Sequence, residues 1–144
     1  MNLSQLIEAH YYVRDVRMPL ASNKDSDIEW ISTCFGFTVP RDKQKTAAKI
    51  FAALVEAIRG GDITTSDELA EKVGVTRAAV VHHLNRMMGS GLVIRRHGGY
   101  RLRMQSIEGT ITEVQRDITR IFENLRRVAR EIDQAMNIGY RQSS

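Results

Sequence analysis

The 144-residue chain has a single cysteine, two prolines, one tryptophan and no long apolar run. Cys34 alone excludes an intrachain disulfide and an all-cysteine zinc site, so neither bridge nor metal staple holds the fold. No stretch approaches the roughly 18 consecutive apolar residues of a membrane-spanning helix. The opening run MNLSQLIEAHYYVRD also lacks the basic-then-apolar order of a signal peptide, so a cytoplasmic location is expected. Acidic side chains are missing from Lys72 through Ile107, whereas Lys72, Arg77, Arg86, Arg95, Arg96, Arg101 and Arg103 fall in that stretch. No nucleophile–base constellation, phosphate-binding glycine loop or close carboxylate pair is legible, so neither an enzyme nor a cofactor is expected.

What is present is ample for folding: 42% of residues are hydrophobic and 26% charged, which excludes disorder as the whole answer. The net charge of +4 is unevenly spread. Residues 1–40 hold 3 basic and 5 acidic side chains, 41–104 hold 12 and 6, and 105–144 hold 6 and 6, giving −2, +6 and 0. The excess sits in the middle of the chain, where a polyanion is the natural partner.

Residues 1–40 read as a helical segment of unknown role. Leu3, Leu6, Ile7 and Tyr11 recur at spacings compatible with an amphipathic helix capped by Ser4, ended by Pro19 and the polar run Ala21 to Asp25. A short helix from Asp25 or Ser26 carries Ile28, Trp30 and Ile31 and stops at Gly36, and Val39-Pro40 punctuates the chain. Trp30, Phe35 and Cys34 are expected to be packed rather than to form a ligand site.

A basic domain is expected over 41–104. Ala47, Ile50, Phe51, Leu54, Val55 and Ile58 make one helical stripe that Gly60-Gly61 ends. Ile63-Thr64 is at most a bridging strand. Thr65 or Ser66 caps a helix to Val73 with Asp67 and Glu68 in its first turn, Gly74 ends it, and Thr76 caps a third helix to about Met88. Strands at 92–96 and 100–104 follow. A three-residue His97-Gly98-Gly99 loop would set Ile94 opposite Leu102 and Arg95 opposite Arg101, a like-charge pair that a bound polyanion would relieve.

From 105 to 138 the periodicity is sharpest, with residues 139–144 as a tail. Ile107, Ile111, Val114, Ile118, Ile121, Leu125, Val128, Ile132 and Ala135 alternate steps of four and three, a heptad seam. Such a helix is on the order of 48 Å long, too long to bury its seam against a domain of this size. A second copy of the chain is the expected partner, in an orientation the seam does not enforce. The fold class is mainly α with a small β-hairpin and a long C-terminal coiled-coil helix.

Leu69, Val73, Val80 and Leu84 face inward, Ala70 is small at the helix crossing and Gly74 permits a left-handed turn. With Gly74-Val75-Thr76-Arg77, His83-Leu84 and Gly91-Leu92-Val93, the region 43–104 resembles the winged helix-turn-helix domains of ArsR-like and MarR-like transcriptional regulators of archaea and bacteria. The resemblance implies a DNA-binding domain whose third helix enters the major groove while the hairpin, or wing, touches the backbone. Arg77, Ala78, Val81, His82 and Asn85 lie on the face opposite Val80 and Leu84, and Arg77 suits a guanine edge. Thr76 with the free amides of the helix start, Arg86, and the wing residues Arg95, Arg96, Arg101 and Arg103 suit phosphate or minor-groove contacts. The paired cysteines of metal-sensing relatives are missing, and His82 and His83 point about 100° apart on a helix, so no metal is expected. The function expected is a homodimeric regulator that binds double-stranded DNA sequence-specifically. A non-specific architectural DNA-binding protein and a winged-helix protein-interaction module are the alternatives.

Overall fold

A computed structural model describes residues 2–20, 22–38, 42–61 and 63–139. A 3-10 turn at Leu3–Leu6 is followed by α1 (Lys24–Cys34), α2 (Thr46–Gly60), α3 (Ser66–Val73), α4 (Arg77–Gly89), β1 (Val93–Arg96), β2 (Gly99–Leu102) and α5 (Ile107–Ala135). The Val39-Pro40 boundary and tail residues 140–144 lie outside the described residues.

The helices start and stop where local chemistry dictates. Asn23 caps α1, Thr65 caps α3, Thr76 caps α4 and Ser106 caps α5, each accepting a backbone N–H through its side chain. Gly61 and Gly74 end α2 and α3 in the left-handed conformation that glycine adopts without steric cost. The core forms where α2 lays Ile50, Phe51 and Leu54 against Leu69 of α3 and against Val80, Leu84 and Met87 of α4, all essentially inaccessible. Leu92, Val93, Tyr100 and Leu102 close it from the hairpin side, and Ile28, Phe35 and Phe37 extend it toward the N-terminus. Cys34 is buried, and Trp30 is half-buried, donating from Nε1 to the Arg17 carbonyl at 3.0 Å.

Two expectations are corrected. The N-terminal amphipathic helix does not form: Asn2 rather than Ser4 caps a single 3-10 turn, and residues 7–19 have no regular secondary structure. Leu3, Leu6 and Ile7 stay largely exposed, and a short helix without a packed face is marginal in water. The segment runs instead as a strap, with the Arg14 N–H donating to the Cys34 carbonyl at 2.7 Å.

The hairpin register also differs. Val93 pairs with Leu102, Ile94 with Arg101, Arg95 with Tyr100 and Arg96 with Gly99, leaving a two-residue turn at His97-Gly98. Both turn residues have positive φ, 48° and 79°, as a type I′ turn requires, and the twist of such a turn matches that of the flanking strands. The Arg95–Arg101 opposition therefore does not arise. Arg95 instead lies 5.7 Å from the Tyr100 ring centroid, a cation–π contact across the ladder.

Thr64 bridges Tyr100 on the hairpin's outer edge through reciprocal backbone bonds of 3.0 and 2.8 Å. Gly99 permits that approach, because a Cβ there would overlap Ile63 Cγ2 and lie 3.0 Å from the Thr64 carbonyl oxygen. Gly99→Ala is accordingly expected to destabilise the domain by about 1–3 kcal/mol in chemical denaturation, by forcing Ile63-Thr64 away from the wing.

Candidate nucleic-acid interface

The α3–turn–α4 unit holds α4 by its inner row and leaves its outer row open. Val80, Leu84 and Met87 are buried, whereas Arg77, Ala78, His82 and Asn85 are exposed and Val81 half-buried. The Thr76 hydroxyl accepts from the Ala79 N–H at 3.1 Å, which leaves the amides of Arg77 and Ala78 at the open, electropositive end of the helix. Arg77 is poised beside that end: its Nε donates to Ser66 Oγ at 3.3 Å and lies 3.6 Å from Asp67 Oδ1, with 69% of the side chain exposed. So open an ion pair is weak and readily exchanged for another anion. Burial, followed by the charge of neighbouring His82, holds His83 below the ordinary imidazole range, so it is neutral near pH 7.

The cations of the acid-free stretch divide into two groups. Lys72 is tied to Glu56 at 2.8 Å on the far side of α3, and Arg86 turns inward to donate to the Gly36 carbonyl at 2.9 Å. Arg103 is turned inward as well, donating to Asp117 Oδ2 at 2.6 Å with Glu113 at 3.9 Å. Arg95, Arg96 and Arg101 have no carboxylate partner among the described residues, and the first two stand exposed at the wing tip beside the His97-Gly98 turn. Six of the seven cations thus resolve into an outward set, Arg77, Arg95 and Arg96, and a set that ties elements together, Lys72, Arg86 and Arg103, with Arg101 half-buried on β2.

Asp117 is the residue that sequence reading missed. It is buried, accepts from Tyr11 Oη at 2.8 Å and from Arg120 at 3.3 Å, and receives Arg103, so the strap, the wing and α5 converge on one carboxylate. The hydrogen bond from Arg103, with lesser help from Tyr11, pushes its carboxyl down to about 2. Burial, then the hydrogen bond to Asp117, raises the Tyr11 hydroxyl. The only local hint was a carboxylate directly beside a heptad seam. Tyr11 lies 106 positions away, beyond any periodicity.

A packed helix-turn-helix with a β-hairpin wing defines the class: a winged helix-turn-helix domain of the kind that serves DNA-binding transcription regulation. Residues 52–95 match the family model described as bacterial regulatory protein, arsR family, a span that begins within α2 and ends in β1, taking in α3 and α4 whole. No curated protein and no solved structure matches the chain. Among the described residues no three His, Cys, Asp or Glu side chains are grouped to hold a metal ion, and no helix is long and apolar enough to cross a membrane. His82 and His83 stand edge to face, 5.5 Å between centroids.

The Asp117 junction makes a pH-dependent prediction. Its carboxyl titrates lower in the folded chain than the ordinary 3.8, so its contribution is complete above about pH 4 and is lost as pH falls toward about 2. Asp117→Asn is expected to lower stability by about 2 kcal/mol at pH 7, the gap to wild type closing between about pH 4 and 2 in urea titrations. A gap independent of pH in that window would assign the loss to packing alone.

Proposed function

We propose that the protein is a cytoplasmic, homodimeric regulator that binds double-stranded DNA sequence-specifically, with α4 in the major groove and the β1–β2 wing on the adjacent backbone. The observation that carries this reading is the outward row of α4. Arg77, Ala78, Val81, His82 and Asn85 form a low, acid-free surface with one long cation at its start and the unpaired Arg95 and Arg96 on the neighbouring wing. Arg77 reads a base edge, Ala78 and Val81 leave room for thymine methyls, and Asn85 reaches adenine or a phosphate. Thr76 and the first α4 amides take a phosphate, as do Arg95, Arg96 and Arg101. Arg86 and Arg103 position the surface from behind, through Gly36 and Asp117.

The homodimer rests on α5. Val114 is buried and Ile107, Ile111 and Ile118 pack on the domain, but Ile121, Leu125, Val128 and Ile132 are 36%, 58%, 49% and 52% exposed. Half of the seam, out to Ala135, has no cover in one chain, and a second copy supplies it. Two-fold pairing there presents two α4 helices to half-sites about 10 base pairs, or a multiple, apart.

Selection of bound duplexes from a random pool at two salt concentrations tests the proposal. An enriched two-fold symmetric motif is expected at the higher salt, and salt-labile binding without enrichment would overturn sequence specificity. Arg77→Ala is expected to cost about 1–3 kcal/mol on the selected site and much less on random DNA. Arg95→Ala and Arg96→Ala should each flatten the dependence of log affinity on log salt by about 0.9, whereas Arg103→Ala should lower stability and leave that slope unchanged.

A further inference from the structure

The exposed half of α5 is wider than a two-stranded seam. With Ile118, Leu125 and Ile132 at heptad position a and Ile121, Val128 and Ala135 at d, Phe122, Ala129 and Met136 fall at e, and Asp117, Asn124 and Glu131 at g. Phe122 and Met136 are 54% and 65% exposed, and a facing a/d seam alone does not cover the e stripe. The chain has a second apolar surface without cover. Leu3, Leu6 and Ile7 of the N-terminal arm are 81%, 59% and 51% exposed, although the arm is ordered by a reciprocal Asn2–Gln5 capping box.

The arm is anchored on the wrong side of its own helix to cover its own stripe. Tyr11 joins α5 at Asp117, a g position, and the next g residues along that edge are the polar Asn124 and Glu131. The e stripe lies across the seam, which a partner helix would fill. In a parallel two-stranded pair, however, the g edge of one helix adjoins the e edge of the other. An antiparallel pair would instead bring the two g edges together, so that each arm would meet the polar Asn124 and Glu131 of the partner rather than an apolar stripe. Reach is sufficient: Leu3 lies eight residues before Tyr11, up to about 26 Å of extended chain, while Ala129 is about 18 Å along the helix from Asp117.

Resting on the homodimer reading above, we propose that two copies pair in parallel through the distal half of α5, and that the arm of each chain crosses to its partner. There Leu3, Leu6 and Ile7 cover Phe122 and Ala129 of the partner helix. The dimer is thus a four-component interface in which each strap spans both chains, anchored on its own Asp117 and seated on the other helix.

Cross-linking decides it. In a Cys34→Ser background carrying Leu6→Cys and Phe122→Cys, mild oxidation of the full chain is expected to give a disulfide-linked dimer on non-reducing denaturing gels, with either substitution alone giving little. Sedimentation of the reduced variant and of wild type is run alongside. A dimer by sedimentation whose cysteines form only an intrachain bond, or none, overturns the exchange while the homodimer stands. A monomer by sedimentation overturns both. A second variant, Leu3→Ser with Leu6→Ser and Ile7→Ser, touches no core residue and is expected to weaken the dimer by about tenfold or more. An unchanged dimer constant would also overturn the exchange.

Discussion

Three parts of the chain with no secondary structure in common meet at one carboxylate. Asp117 takes a guanidinium from the wing and a phenol from the N-terminal strap, and it sits on the helix that carries the apolar seam. Because the group is buried, its charge is tolerated only while Arg103 and Tyr11 satisfy it, so each element fixes the other two. The wing is not a free hairpin on the side of a helix-turn-helix. It is held at its base by α5 and at its edge by the Thr64 bridge, and only its tip, with Arg95 and Arg96, stands clear.

The same division runs through the basic stretch as a whole. The sequence counts every arginine there toward one electropositive surface, but hydrogen bonding sorts them by task. Arg86 and Arg103 reach back to Gly36 and Asp117 with charge-assisted hydrogen bonds, whereas Arg95 and Arg96 keep their charge available to solution. Acidic residues are missing from the stretch in sequence, yet the fold brings them in from α2, α3 and α5: Glu56 to Lys72, the exposed Asp67 to Arg77, and Glu113 and Asp117 to Arg103, while Arg95 and Arg96 at the wing tip meet none among the described residues.

Much of the domain was legible because its signals are local. The cap residues Thr65 and Thr76, the left-handed Gly61 and Gly74, and the inward period of Leu69, Val80 and Leu84 each act over one or two turns. The outward face of α4 followed from the same period. What was illegible depends on partners far off in sequence. The strap reads as a helix because Leu3, Leu6 and Ile7 have helical spacing, and nothing local reveals that they stay more than half exposed on the folded chain. The wing register turned on one residue of loop length, where alternation favoured burying Ile94 and the twist of a type I′ turn prevailed. Arg103 looked like a wing cation because its partner lies beyond the wing, on α5.

The long helix has neither glycine nor proline from Thr110 to Met136. Its first turns are fixed to the domain by Thr110, Val114 and Asp117, and the remainder projects as an unbroken rod. A rod of this kind couples distance to phase, since each residue adds about 1.5 Å of length and about 100° of rotation. For any pair of chains joined at the far end, the separation of the two α4 helices and the direction in which they face are therefore a single variable. Insertions of seven residues would preserve the facing direction and lengthen the span, whereas an insertion of one or two would turn the domains away from a common surface.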